Sequence, residues 1–401
     1  MIVLCGGDLV LPDRIQPNAS VICDEGRIAA IAPGRAVPAG AAVIDATNCY
    51  VVPGFIDVHV HGVQGYDTLD GGDALTTIAA LLPQYGVAAF CPTTVACAPD
   101  VLRTFFDQVR RARVAGVPGS ARVLPAHLES NFINPEYRGA QPAECLRLPP
   151  GLSEVQQAYK SDPGEYSGVQ ILSAIAVSRS DVGIVTLAPE LPGGIDLVRS
   201  LVAAGHRVSL GHSGADFETA VAAIEAGASH ATHLFNRMTP IAHRVPGLAG
   251  AVLAREEVTP ELICDGYHVH PAMCGMAIAA KGARNVMAIT DGTAGSGQPS
   301  GATARLGGRT IQVRDEAAFL DDGTLAGSTL TMDRAFRNIV TSFRRSLVDA
   351  AWMCSTTPAR QLGLTDAGRI EEGTVADLVV LDRDLRVVRT FIDGEEVWAS
   401  A

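Results

Sequence analysis

Apolar positions along this chain fall into two patterns. Between residues 55 and 290, short apolar runs of strand character recur at 55–58, 87–90, 123–128, 183–187, 208–210, 231–234, 262–264 and 286–290. Stretches of helical length separate several of them, as at 216–226 and 271–281. Repeated strand–helix units imply a parallel sheet with helical crossovers. Eight such runs fit a closed (β/α)8 barrel, of the TIM type, better than an open sheet. The ends of the chain read differently. Val21-Ile22-Cys23, a polar turn at 24–27 and Ile28–Ile31 predict a hairpin, and a second set of short strands runs from 376 to 398 around Asp393-Gly394. Neither end has enough strands to hide a core alone, so residues 1–53 and 362–401 are expected to form one small β-sandwich beside a 54–361 barrel. The Pro-, Gly- and Asn-bearing stretch 130–168 follows a predicted strand and reads as an active-site loop insertion.

Composition narrows the setting. With 401 residues, 47% hydrophobic and 18% charged, the chain is too apolar for a disordered protein. A net charge of −12 argues against a nucleic-acid or anionic-membrane partner. No apolar stretch has spanning length, and the N-terminal segment lacks a basic region followed by a long apolar one. Nine cysteines without a C-x-x-C pair predict reduced thiols in a cytoplasmic protein. Of the 31 basic residues only Lys160 and Lys281 are lysine, so any lysine-dependent chemistry must use one of those two.

The chemistry-bearing residues collect at predicted strand ends. His59 and His61 sit two apart at the end of the first barrel strand, so both imidazoles face the same way, toward the barrel mouth. Two such nitrogens are a start for a divalent-metal site. Glu129, His212, His233 and Asp291 end strands three, five, six and eight. Barrel enzymes draw their catalytic groups from the ends of several strands, and this convergence is hard to ascribe to chance. Nitrogen and oxygen donors without a thiolate suit Zn²⁺ first, with Fe²⁺, Mn²⁺ and Co²⁺ as alternatives.

These residues lie in segments resembling the amidohydrolase superfamily and, more narrowly, the N-acetylglucosamine-6-phosphate deacetylase family. The segments are PGFIDVHVHG (53–62), FCPTT (90–94), HLE with FINPEYRGA (127–140), TLAPE (186–190), GHSGA (211–215), ATHLFNRM (231–238), RVPGLAG (244–250), DGYHVHP (265–271), TDGTAG (290–295) and LAGSTLTM (325–332). They follow family order over almost the whole chain. The resemblance implies a metal-dependent barrel with a terminal β-sandwich, hydrolysis of an acetamide on an amino-sugar phosphate, and a homodimer. It implies one ion on Glu129, His212 and His233, with His59 and His61 holding a second or assisting the first. Many amidohydrolases bridge two ions with a carboxylated lysine at the end of strand four; here that strand ends Thr186-Leu187-Ala188-Pro189-Glu190, which leaves Glu129 as the anionic ligand. By the same resemblance Asp291 is general base and then acid, and His268 steadies the carbonyl oxygen. Asn236, Arg237 and Arg244 bind the phosphate, Arg244 from a partner subunit, and Ala140, Gln141, Leu325, Ala326 and Gly327 also contact the substrate.

Three departures stand out: Ser130-Asn131 where the family has Gly-Pro, Gln141 where it has histidine, and Arg237 where it has alanine. None touches a metal candidate or Asp291. They open the exact sugar to question, so a deacetylase of another N-acyl amino sugar, such as N-acetylgalactosamine 6-phosphate, or a cyclic-amide hydrolase stands as the alternative. A non-catalytic protein that kept the barrel would be expected to have lost ligands, and this chain retains them all.

Overall fold

In the computed structural model, which describes residues 1–150 and 166–400, eight parallel strands form the central sheet. They are strand one Phe55–Val60, two Val87–Thr94, three Ala126–Glu129, four Val182–Leu187, five Arg207–Leu210, six His230–Ala231, seven Thr259–Ile263 and eight Met287–Ile289. Consecutive strands pair in parallel from one to eight. Strand eight returns to strand one through Asp291 N–H to His59 C=O at 3.0 Å and His61 N–H to Gly292 C=O at 2.8 Å, which closes the barrel. A helix follows each strand, from Ala74–Leu81 after strand one to Met332–Thr341 after strand eight. Strands one, two, three, four and seven are buried along their whole length, as expected of a sheet covered on both faces. The helices seal the outer faces, for example through Phe336, which stacks on Phe55 at 5.2 Å. Part of the expected insertion at 130–168, including Lys160, lies outside the described residues.

Both chain ends contribute to one further sheet, with the hairpin Ile15–Asp24 to Arg27–Pro33 turning at Glu25 and Gly26, both at positive φ. Tyr50–Pro53 pairs antiparallel with Leu378–Leu381, which joins Val387–Ile392 and Glu395–Ala399. This sheet is continuous and curls on itself: Arg27 bridges to Val375 near its far side. Leu4, Leu9, Val21, Ile28, Val51, Leu378 and Phe391 fill the enclosed core. Gly54 is the joint to the barrel, donating to Asp377 C=O at 2.9 Å where a Cβ would lie 2.7 Å from Ala88.

The apolar pattern did not reveal a four-stranded antiparallel sheet after strand eight, Thr303–Leu306, Arg309–Arg314, Ala317–Phe319 and Leu325–Ser328. Its strands are three to six residues long, with Gly307-Gly308 and Asp322-Gly323 as the hairpin signals between them, Gly307, Gly308 and Gly323 all at positive φ. This sheet roofs one side of the barrel mouth.

Candidate metal centre and active site

The candidate residues reach the mouth by a shared backbone device. His212, His233 and Asp291 lie just beyond strands five, six and eight rather than within them, at φ of 47°, 31° and 49°. Non-glycine residues in that region are sparse and store strain, which collects at functional sites. The turn ends the strand and throws each side chain into the mouth. Strand six is accordingly only two residues long, shorter than the 231–234 run predicts.

Glu129, His212 and His233 converge, with both imidazole Nε2 atoms 2.9 Å from Glu129 Oε1 and 3.0 Å from each other. His59, His61 and Glu129 form an adjacent group, with the two Nε2 atoms 3.1 Å apart. Asp291 Oδ1 is 3.3 Å from Nε2 of both His59 and His61. All six residues are buried. Imidazole nitrogens at 3.0 and 3.1 Å cannot each keep a proton pointed at the other, and buried carboxylates beside them call for positive charge. The donor set therefore fits a divalent metal: Glu129, His212 and His233 form one group that could hold an ion, and His59, His61 and Glu129 form another. Lys281 takes no part: it ends a helix and donates to Arg255 C=O at 2.5 Å.

The charges agree with that chemistry. Burial works to raise the Asp291 and Glu129 carboxyls, but neighbouring imidazoles overcome it. His59 and His61 hold Asp291 below its usual value, and His212, His233 and His59 hold Glu129 well below its own. Burial works against charge on His233 too, yet its bond to Glu129 pushes it up to about 9. Burial lowers His59 to about 4, so its ring is neutral and fit to bind metal. Beneath the cluster, Asp57 accepts from Thr290 Oγ1 at 2.6 Å and ties strand one to the residue before Asp291.

Most of the substrate-site candidates line one cavity with this cluster: Ala140, Gln141, Asn236, Arg237, His268, Leu325 and Gly327, beside His61, Glu129, His212, His233 and Asp291. One metal candidate and the other two substrate candidates lie outside this lining. His59 sits behind the cavity, fully buried; Ala326 turns the opposite way from Leu325 and Gly327 and packs against Val95 and Ala294. Arg244 is exposed outside the lining. His268 is not a loose loop histidine: Asp265 accepts from its Nδ1 at 2.6 Å and from its backbone N–H at 2.9 Å, holding the ring against the cavity. A larger cleft of about 680 Å³ lies at the opposite end of the barrel, along Arg122, Gly183 and Arg207 at the strand starts, and holds none of these groups.

The departures have local explanations. Ser130 Oγ donates to Thr186 C=O at 2.5 Å and Asn131 Nδ2 to the carbonyls of Cys97 and Cys145, so this pair braces the loop after strand three. Gln141, contrary to the expectation, does touch a metal candidate: its Nε2 donates to Glu129 Oε2, because the loop after strand three folds back over that strand's end, and its Oε1 accepts from Ala96 N–H at 2.7 Å. Arg237 has an exposed backbone position at φ 49° and runs its side chain along Gly139.

The orienting partners escaped the sequence reading. Tyr137 C=O accepts from His212 Nδ1 at 2.8 Å. Glu190, at the end of the strand-four segment, accepts from Ser213 Oγ, Gly214 N–H and Asn134 Nδ2 and pins the loop after His212. Asp265 could have been found from its i, i+3 spacing to His268; the others carry no local signal.

A closed parallel barrel with a His, Glu and Asp cluster at the C-terminal strand ends defines a metal-dependent hydrolase of the barrel type. Residues 198–397 match the amidohydrolase family. The N-acetylglucosamine-6-phosphate deacetylase of Lysinibacillus sphaericus is 35% identical over 92% of this chain and 91% of its own. The N-acetylgalactosamine-6-phosphate deacetylase of Escherichia coli O157:H7 is 35% identical over 92% of each. A solved mutant of the Mycobacterium smegmatis N-acetyl-D-glucosamine-6-phosphate deacetylase, in complex with N-acetyl-D-glucosamine-6-phosphate, superposes with a TM-score of 0.87 at 32% identity over 99% of both chains. The chain belongs to the N-acetylglucosamine-6-phosphate deacetylase family of amidohydrolases.

Proposed function

We propose that this protein hydrolyses the acetamide of N-acetyl-D-glucosamine 6-phosphate to D-glucosamine 6-phosphate and acetate, in amino-sugar catabolism. The observation that carries the reading is the placement of Asp291, 3.3 Å from the His59 and His61 nitrogens and beside the Glu129 group, in the cavity that also holds His268. A bound divalent ion, Zn²⁺ first among the candidates, supplies Lewis acidity and lowers the pKa of its water toward about 7. Asp291 takes the proton from the attacking water and returns it to the leaving amine. Ionised at neutral pH, it is ready to act as the base. His268, held by Asp265, steadies the carbonyl oxygen as negative charge develops there. Asn236 and the Arg237 amide bind the phosphate, with Arg244 reaching it from the partner in a homodimer; Ala140, Gln141 and the 325–327 segment border the sugar. Arg suits this task because its planar fork matches a phosphate. The catalytic barrel spans 54–361, and 1–53 with 362–401 form the supporting domain. Nine unpaired cysteines support action in the cytoplasm.

Acetate release from a panel of N-acetyl hexosamines, each with and without a 6-phosphate, tests this reading. The 6-phosphorylated glucosamine derivative is expected to have the highest kcat/KM; equal rates without phosphate would sink the phosphate-site assignment. The E. coli O157:H7 relative and Gln141 support one second reading, N-acetylgalactosamine 6-phosphate, and the same panel decides between the two sugars.

A further inference from the structure

Glu261 lies in the middle of strand seven, where barrel interiors are normally filled by branched aliphatic side chains, and its side chain has no solvent exposure. A carboxylate there needs strong partners. It has one: His59 Nδ1 at 2.9 Å. The His233 backbone N–H is longer, at 3.4 Å, and Oε1 has no hydrogen-bond partner. His127 Nδ1 comes within 3.7 Å of that oxygen, but its proton goes to Val58 C=O at 3.0 Å.

The consequence is directional. When Glu261 accepts from His59 Nδ1, Nε2 is left to present its lone pair. That lone pair faces His61 Nε2 at 3.1 Å, Asp291 Oδ1 at 3.3 Å and Glu129 Oε1 at 3.8 Å. His212, in the neighbouring group, is oriented by a neutral carbonyl instead. Carboxylate–histidine pairs of this kind fix the tautomer and raise the basicity of a metal-binding imidazole. We propose that Glu261 is a positioning residue dedicated to His59, which makes the His59, His61 and Glu129 group competent to hold a second divalent ion. The inference rests on reading the cluster as a metal centre.

Zn²⁺ titration of the metal-free full-length protein against a competing chelator tests it, on wild type, E261A and E261Q. Wild type is expected to take up two ions in two steps. E261A should weaken one step about 10- to 100-fold and leave the other unchanged, and E261Q, which keeps an acceptor oxygen, should recover part of the loss. Both steps weakening alike in E261A, or neither, would overturn the proposal. Wild type binding a single ion would overturn it while leaving the metal reading intact; binding none would overturn both. Should the variants fail to fold, ¹⁵N-histidine NMR of the metal-free wild type at pH 8 decides: protonation of His59 on Nδ1 supports the proposal, and protonation on Nε2 overturns it.

Discussion

At the scale of single residues, Asp291 and Glu129 differ in what they touch. Glu129 meets four imidazoles within 3.8 Å, whereas Asp291 meets the His59 and His61 nitrogens and faces the cavity. Asp291→Asn should therefore retain metal, measured by elemental analysis, while kcat falls about 10²- to 10⁴-fold, the usual worth of a general acid–base group. Unchanged turnover would remove Asp291 from the chemistry. His233 gives a pH prediction. Glu129 raises it to about 9, so near neutral pH the metal-free ring is protonated, and an entering ion must displace that proton. Apparent metal affinity should rise as pH increases from about 6 and level off above about 9, as measured by chelator competition. A flat profile would show that the pairing does not hold His233 protonated. The candidate ligand groups were legible from the sequence, because period-two alternation puts His59 and His61 on one face and strand ends carry the rest. Glu261 was not, because 202 residues separate it from His59 and nothing local marks a carboxylate inside an apolar strand.

At the scale of elements, the site depends on loops that strand ends leave behind. Glu190 holds Ser213 at 2.7 Å and Gly214 at 2.6 Å, while Tyr137 and the backbone of Asn134 grip His212. Glu190→Ala would strand these partly buried donors, each worth about 1–3 kcal/mol when left unsatisfied. We expect a lower denaturation midpoint, and weaker metal binding through a loosened His212. A variant with wild-type affinity and stability would show that the loop holds itself. The resemblance brought Leu325 and Gly327 into consideration, but the sheet that carries them was not read. Short strands interrupted by glycine bury too little apolar surface to leave a periodic trace. Here tertiary packing against Val95 and Ala294 substitutes for local pattern.

Across the whole molecule, the sheet from the two termini supports the barrel without entering its chemistry. Phe391, fully buried, fills that sheet's core with Leu4, Leu9 and Val51, far along the chain from any mouth residue. Phe391→Ala should cost about 3–5 kcal/mol by chemical denaturation and leave kcat of the folded fraction unchanged. A matched fall in kcat would mean that the sheet shapes the mouth directly. That the two ends fold together follows from their strand patterns; that they form one curled sheet, closed by Arg27 and Val375, follows only from the register of their pairing.

The sequence alone determined the alternation of buried strands and helices, and with it the barrel, because repeated short apolar runs separated by helical stretches imply parallel strands with crossovers. It also placed the His, Glu and Asp candidates at the strand ends and kept both lysines away from those ends. Tertiary structure decided how those groups are aimed. Left-handed turns at His212, His233 and Asp291, the clamp of Asp265 on His268, the engagement of Gln141 with Glu129 and the carboxylate behind His59 all join residues on different strands or loops. Orientation depends on which hydrogen-bond partner closes on each ring, and that is known only once the barrel has closed.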